Sequence, residues 1–225
     1  MENSMMRNLL RHTFHRFSAE GLTPHTNLIK GVLERNVIGD IVELGVWKGG
    51  TAANWAYNAQ QTTTKRTWVY DTFAGHPPGL NNDLNPAKIT IARKKFVQAS
   101  EMAGSIVGTE DDVRKAFKAV GLTDVYVAKH IVWRKGFFNQ TMLLPIPDAI
   151  ALLHIDCDWY ECTLDALRRF YSKIPCGGVV VFDDFNLYGG QRQAFYDFLH
   201  DEALINPAIK TFGPGQAYFI KGDQY

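Results

Sequence analysis

The sequence predicts a single α/β domain with a doubly wound, mostly parallel sheet of seven strands and helices on both faces. Short apolar segments alternate along the chain with segments of helical periodicity, which is typical of strand–helix–strand units. Several apolar segments lack polar alternation, as strands buried on both faces do. The length of 225 residues, 46% of them hydrophobic, suits one large domain of this kind.

The order of the predicted elements follows from this alternation. Strands are predicted near residues 40–45, 67–73, 131–133, 149–156, 179–184, 208–212 and 216–221. Helices are predicted near residues 4–18, 26–36, 50–59, 87–102, 110–120, 163–173 and 190–203, and a long loop near 74–86. Thr109, with Asp112 three residues later, indicates a capping box. Residues 1–25 are expected to form a helical lid or a dimer contact, and residues 26–225 the main domain. The sequence does not decide between the two roles, so a homodimer is one of the expected states.

Charge and cysteine content restrict the partners and the compartment. With 24 basic and 23 acidic residues, the net charge of +1 favours a small-molecule partner over nucleic acid or a membrane surface. No apolar run approaches the roughly 20 residues of a membrane span, and the N-terminus lacks a signal peptide, so a cytoplasmic location is expected. The three cysteines, Cys157, Cys162 and Cys176, lack CxxC spacing and are predicted to be free thiols, with Cys157 in packing.

A glycine turn follows the first predicted strand, which carries Glu43 close to its end. Gly45 and Gly50 match the first and third glycines of a dinucleotide-binding fingerprint, but Trp47 occupies the second position. A tryptophan there argues against the pyrophosphate of NAD or FAD and favours S-adenosylmethionine, which has none. Asp71, at the end of the next strand, is placed to accept hydrogen bonds from ribose hydroxyls. Alternatively, the glycines only make a tight turn.

Four aspartates follow two apolar strands that are expected to be neighbours: Asp156, Asp158, Asp183 and Asp184. Two bare carboxylates ~4 Å apart repel by about 4 kcal/mol at an effective dielectric near 20, so such a cluster calls for protons, basic partners or a cation. Oxygen ligands favour Mg²⁺, Mn²⁺ or Ca²⁺ over zinc. Alternatively, some of these aspartates cap helices. His154 is predicted to be a satisfied core histidine rather than a ligand.

These motifs resemble the macrocin O-methyltransferase family, class I sugar O-methyltransferases that depend on S-adenosylmethionine and a metal. The matching segments cover most of residues 26–200 in the family's order, and the most specific are 155–162 (IDCDWYEC) and 182–185 (FDDF). The other matching segments are 40–51, 69–75, 113–122, 135–142 and the helix start at Gln191. The loop His76-Pro77-Pro78 departs from the family's usual sequence after the second strand.

The resemblance implies a Rossmann-like methyltransferase fold and a role for each matching residue. It implies metal binding by Asp156, Asp183 and Asp184, and a general-base role for Asp158. The residues implied to contact S-adenosylmethionine are Glu43, Gly45, Trp47, Gly49, Thr51, Asp71, Phe73, Gly136 and Phe137.

The expected function is therefore an O-methyltransferase that depends on S-adenosylmethionine and Mg²⁺ (or Mn²⁺/Ca²⁺) and acts on a small-molecule hydroxyl of a sugar or glycosylated metabolite. One alternative is a catechol-type phenol methyltransferase, with Phe73, Trp159 and Tyr160 around the ring. A second is a glycosyltransferase that binds Mn²⁺ and a nucleotide sugar through residues 156–158. A third is a cofactor-binding protein without catalysis.

Overall fold

The computed structural model of the chain describes residues 19–61, 65–76, 104–186, 189–213 and 215–223. The predicted helices near 4–18 and 87–102, and most of the predicted loop at 74–86, lie outside these ranges. The strands are β1 (Asp40–Leu44), β2 (Thr67–Asp71), β3 (Ile131–Lys135), β4 (Ile150–Ile155), β5 (Val179–Phe182), β6 (Lys210–Phe212) and β7 (Gln216–Ile220). The helices are α1 (Ala19–Glu34), α2 (Gly50–Gln60), α3 (Glu110–Ala119), α4 (Asp124–His130), α5 (Phe138–Thr141), α6 (Tyr160–Phe170) and α7 (Gly189–Asp201).

The strands form one seven-stranded sheet in the order β3-β2-β1-β4-β5-β7-β6. The first five are parallel to one another, β7 is antiparallel to β5, and β6 is antiparallel to β7. The predicted fold class, a mostly parallel seven-stranded sheet, is confirmed. The chain order reverses between β1 and β4, and ligands bind at the carboxyl ends of the strands beside such a switch point.

Both faces of the sheet are covered by helices. Ile41 and Val42, successive residues of β1, are both fully buried and belong to different apolar clusters. The cluster of Val42 includes Phe195 of α7, and the cluster of Ile41 includes Trp55 of α2. This alternation follows from the two-residue period of a strand. None of the described helices is long and apolar enough to cross a membrane.

Helix α1 differs from the helix predicted near 26–36, because it also covers residues 19–25 and contains Pro24. Leu22 and Ile29 of this helix are fully buried. The hydroxyl of Thr26 is bonded to the Asn54 side chain of α2, with Asn54 Nδ2 donating to Thr26 Oγ1 at 3.0 Å. Packing of a buried face therefore outweighs the local tendency of proline to end a helix.

Two short helices, α4 and α5, were missed. With seven and four residues, they are too short to show a clear apolar period. Thr123 caps α4 by accepting a hydrogen bond from the backbone N–H of Tyr126 at 3.2 Å. Farther along, α6 begins at Tyr160, three residues before its predicted start. The capping box of Thr109 and Asp112 at the start of α3 is confirmed.

Candidate active site

The carboxyl ends of the five parallel strands carry the predicted site residues. The end of β1, the turn after it and the start of α2 carry Glu43, Gly45, Trp47, Gly49 and Thr51. The end of β2 and the loop after it carry Asp71 and Phe73, and the loop after β3 carries Gly136 and Phe137. Asp156 and Asp158 follow β4, and Asp183 and Asp184 follow β5. The predicted residues thus share one edge of the sheet. Their roles in binding stay predictions until a ligand is tested.

Gly45 allows the ends of β1 and β4 to approach each other closely. Its φ is +86°, and a Cβ atom at this position would overlap the carbonyl oxygen of Asp156. The N–H of Asp156 donates to Leu44 O at 2.8 Å, which holds the two chain segments together. A side chain at position 45 would therefore displace the first of the four aspartates.

Asp71 fastens the glycine turn to the end of β2. Its Oδ2 accepts hydrogen bonds from the backbone N–H groups of Val46 and Trp47, at 2.8 and 3.0 Å. Its Oδ1 accepts from the N–H of Phe73 at 2.7 Å. The carboxylate thus organises both loops, and its predicted bond to a ribose would add to these contacts.

Three non-glycine residues at this edge have left-handed backbone. They are Trp47, Phe73 and Asp158, with φ of 46°, 54° and 60°. Each such conformation costs on the order of 1–3 kcal/mol and persists where surrounding contacts enforce it. The bonds to Asp71 enforce the first two. The third reverses the chain between β4 and α6.

A buried chain of polar contacts joins the glycine turn to the aspartates. Glu43 Oε1 lies 3.0 Å from His154 Nδ1, and both side chains are at most 2% exposed. On the other side of the ring, His154 Nε2 lies 3.7 Å from Asp183 Oδ1. Gln216 of β7 donates through Nε2 to the same Asp183 oxygen. One histidine therefore links the end of β1 to the end of β5.

The carboxylates on either side keep this histidine charged. Burial alone would lower the pKa of His154, but hydrogen bonds and charge from Asp183 and Glu43 outweigh it and raise the pKa to about 9. Burial likewise favours a raised pKa for Asp183, but its bond to His154 outweighs it and the pKa is lowered. Burial raises the pKa of Glu43. His154 is buried, as predicted, and in addition it holds one of the predicted metal ligands.

The four aspartates converge as predicted. One oxygen each of Asp156, Asp158 and Asp184 lie within 4.8 Å of one another, close enough to share a cation. Asp156 also belongs to a second group of the same compactness, with Asp183 and a ring nitrogen of His154. The two groups meet at Asp156, so the cluster spans the ends of β4 and β5.

Asp156 and Asp158 come together through a turn of the chain. Residues two apart in a strand share one face, but β4 ends at Ile155, before both aspartates. The left-handed backbone of Asp158 turns the chain there and brings its carboxylate to the cluster. Proximity thus arises from a turn and not from the pleat of a strand.

Asp158 and Asp184 lie together in the cluster and shift each other's pKa. Burial raises the pKa of Asp184, and the neighbouring Asp158 carboxylate adds to this, so that the pKa reaches about 12. Burial would also raise the pKa of Asp158, but hydrogen bonds with Asp184 and His76 outweigh it and the pKa is lowered. These opposite directions favour the proton of the pair on Asp184 and the ionised form of Asp158.

The side chain of Gln191 fixes the position of Asp184. The backbone N–H of Asp184 donates to Gln191 Oε1 at 2.9 Å, and Gln191 Nε2 donates to Ile155 O at 3.0 Å. This fully buried amide spans the ends of β4 and β5. The sequence analysis included Gln191 only in a helix start that resembles the family. Its role was missed because nothing in the local sequence shows that a glutamine in the first turn of a helix is buried.

The sequence model that describes the macrocin-O-methyltransferase (TylF) family matches residues 17–219 of this chain. The chain belongs to this macrocin O-methyltransferase family. The match extends over nearly the whole described structure and confirms the resemblance drawn from residues 155–162 and 182–185. It also places the chain among methyltransferases, as predicted.

Two similar proteins are O-methyltransferases of Streptomyces species. Demethyldecarbamoylnovobiocin O-methyltransferase of Streptomyces niveus is 31% identical over 160 residues, which are 70% of this chain and 56% of the relative. A tetracenomycin-C rhamnosyl 4′-O-methyltransferase of Streptomyces olivaceus is 29% identical over 189 residues, 83% of this chain and 68% of the relative. This chain therefore spans little more than half the length of the first.

A solved structure confirms the methyltransferase fold. The O-methyltransferase NovP superposes with a TM-score of 0.78 at 25% identity, over 92% of this chain and 82% of that chain. The likeness is consistent with the strand order described above.

The cysteines of this family member differ from the prediction. A disulfide joins Cys157 to Cys162, whose Cα atoms are 6.3 Å apart, so the prediction of three free thiols is wrong. The prediction relied on the missing CxxC spacing, whereas the turn at Asp158 brings the first turn of α6 back to Cys157. Cys157 is buried in the apolar cluster, as predicted, and Cys176 is free and exposed.

His76 is a site residue that the prediction missed. Its Nε2 lies 3.0 Å from Oδ2 of Asp158, and both side chains are 13% exposed. In the sequence it appeared only as part of a loop that departs from the family's usual sequence. That departure was the one sign in the sequence that this loop could carry a residue specific to this chain.

Proposed function

We propose that this chain is an O-methyltransferase that depends on S-adenosylmethionine and a divalent metal, and that it methylates a hydroxyl of a sugar or glycosylated metabolite. The observation that carries the proposal is the convergence of four aspartates beside the glycine turn, joined to that turn through His154. Family membership supports the methyl-transfer chemistry.

The turn after β1 fits S-adenosylmethionine, which supplies a methyl group on a positive sulfur. Glu43 Oε2 is buried and has no hydrogen-bond partner among the described residues, so it offers an acceptor to the ammonium group of the methionine part. Asp71 retains acceptor capacity for the ribose. The other predicted contacts lie along the same edge: Gly45, Trp47, Gly49, Thr51, Phe73, Gly136 and Phe137.

The aspartate cluster fits a hard divalent cation. The proposed ligands are Asp156, Asp183 and Asp184, as the resemblance implies. Asp156 lies in both compact groups of the cluster, one with Asp158 and Asp184 and the other with Asp183 and His154, so the cluster offers carboxylate oxygens from the ends of β4 and β5. Burial and the neighbouring carboxylates raise the pKa of Asp184 to about 12, which supports a site that favours positive charge. All-oxygen ligation favours Mg²⁺, with Mn²⁺ and Ca²⁺ as alternatives. Such a cation would lower the pKa of a coordinated hydroxyl and fix its oxygen.

Asp158 is the proposed general base. Its carboxylate lies in the cluster beside Asp156 and Asp184, and its lowered pKa favours the ionised form, which can accept a proton. In the transfer, the acceptor oxygen bonds to the methyl carbon and the carbon–sulfur bond breaks, with its electron pair going to sulfur. The hydroxyl proton passes to Asp158. The protein's further contribution is alignment of oxygen, carbon and sulfur.

The names of relatives support a glycosylated acceptor. The Streptomyces olivaceus relative is named for the 4′-oxygen of a rhamnosyl group. A phenol acceptor is less favoured, because two of the aromatic residues expected to clamp its ring are engaged elsewhere. Phe73 packs on Trp133 at 5.8 Å between ring centroids, and the Tyr160 hydroxyl donates to Asp197 at 2.8 Å. A glycosyltransferase is disfavoured by membership of a methyltransferase family.

Comparison of Asp158→Asn with the wild type tests the proposal. We expect the variant to keep its affinity for S-adenosylhomocysteine, measured by calorimetry, while kcat falls about 10²- to 10⁴-fold, because only proton transfer is lost. Acceptors come from a screen of glycosides and phenols with Mg²⁺, with EDTA as the metal-free arm. Asp148→Asn, an exposed aspartate before β4, is the matched control. Full activity of Asp158→Asn would reject the base role, and undiminished activity in EDTA would reject the metal.

A further inference from the structure

His76 lies at the junction of two loops that surround the proposed base. It belongs to the loop after β2, whereas Asp158 belongs to the loop after β4. The contact between His76 Nε2 and Asp158 Oδ2, at 3.0 Å, joins these loops directly. Because the carboxylate is an acceptor, the ring nitrogen facing it carries the proton.

The backbone on which His76 sits is held by several hydrogen bonds. The N–H of His76 donates to Ser105 O at 3.0 Å, and the N–H of Gly104 donates to His76 O at 2.9 Å. Just before it, Thr72 Oγ1 donates to Gly75 O at 2.8 Å. The imidazole is therefore presented from a fixed loop. A side chain on such a loop can impose its geometry on a partner.

The ring of His76 is also held by its neighbour. It meets the Trp159 ring edge-on, with centroids 6.0 Å apart. Trp159 directly follows Asp158, so the ring and the carboxylate are set by the same turn. The contact orients the imidazole, and its hydrogen bond orients the carboxylate.

We propose that His76 is a positioning residue for Asp158, holding its carboxylate in the orientation that receives the acceptor's proton; this rests on the proposed function. Asp158 stands on left-handed backbone in a loop, so its side chain is not aligned by a strand or helix of its own. A hydrogen bond from a second loop supplies that alignment. Partners of this kind commonly change activity by about 10- to 100-fold when removed.

Three substitutions separate the hydrogen bond from the bulk of the ring. His76→Phe keeps a ring against Trp159 but loses the donor. His76→Gln can place an amide N–H near the position of Nε2, whereas His76→Asn holds its amide nearer the backbone. We expect kcat to fall about 10- to 100-fold in His76→Phe and His76→Asn, and to stay within about threefold of wild type in His76→Gln. The KM for S-adenosylmethionine and the melting temperature should stay unchanged.

A double-mutant cycle decides whether His76 acts through Asp158. In the Asp158→Asn background, His76→Phe should lower kcat by less than about twofold, because the carboxylate it positions is already gone. An equal loss in both backgrounds would overturn the proposal, as would wild-type kcat in His76→Phe. A rise in KM without a fall in kcat would also overturn it.

An NMR measurement reads the contact without turnover. The Nε2–H resonance of His76, assigned by its loss in His76→Gln, should shift in Asp158→Asn and stay in place in Asp148→Asn. An unshifted resonance would overturn the proposal even in an active enzyme. If the wild type methylates no acceptor, the proposed function fails and the role of His76 fails with it. If the wild type is active and His76→Phe matches it, only the role of His76 fails.

Discussion

Binding of Mg²⁺ to the aspartate cluster should release close to one proton per cation. The pKa of Asp184, raised to about 12 by burial and by the Asp158 carboxylate, keeps this group protonated at neutral pH in the metal-free protein. A cation needs ionised carboxylates, so it displaces that proton. Because proton and cation compete, the affinity for Mg²⁺ should rise with pH, about tenfold or 1.4 kcal/mol per unit, until the pH passes the pKa of Asp184.

Calorimetry measures both quantities. Protein stripped with EDTA and desalted is titrated with MgCl₂ at one pH in phosphate and in Tris, which differ in ionisation enthalpy. The difference in observed heat gives the number of protons released. Between about pH 6.5 and 8.5, the Kd should fall about 100-fold.

Asp184→Asn is the matched control, because it has similar size and no proton to release. It should bind Mg²⁺ more weakly and release close to none. A wild-type Kd that does not change with pH would refute the proton on Asp184. Equal proton release by Asp184→Asn would place the proton on another group.

Two further predictions concern the scaffold. Gly45 and Gly121 both have a positive φ, but an added methyl group meets nothing within 4 Å at Gly121. In urea unfolding, Gly121→Ala should therefore lower the free energy of unfolding by about 1–2 kcal/mol, and Gly45→Ala should lower it by about 1–3 kcal/mol more. Equal losses would contradict the close approach of the strand ends. Thiol titration of the denatured, unreduced protein should find one thiol, from Cys176, and three after reduction of the Cys157–Cys162 bond; three before reduction would contradict the disulfide.

The sheet and its functional edge could be predicted from the sequence because the information is local. A strand such as β4 is a continuous apolar run, and the residues just after it mark the carboxyl edge. Since parallel strands end at a common edge, Asp156 and Asp183 could be brought together without knowledge of any side-chain contact.

The contacts that shape the site could not be predicted, because they join residues far apart in sequence. His76 meets Asp158, and Gln191 spans two strand ends, through turns whose direction depends on tertiary packing. The helix through Pro24 is similar, since its buried face and not its local sequence decides it. The disulfide depends on one left-handed residue between its cysteines.

The antiparallel strand β7 has a consequence for synthesis of the chain. It pairs with β5 along Val179–Phe182, and it leaves the ribosome later than β5. Until then, β5 presents one unpaired, wholly apolar edge, a template for association with other nascent chains. Strand β7 also carries Gln216 to Asp183. Protection of this edge and the contact of Gln216 with the aspartate cluster therefore arrive together, when β7 is synthesised.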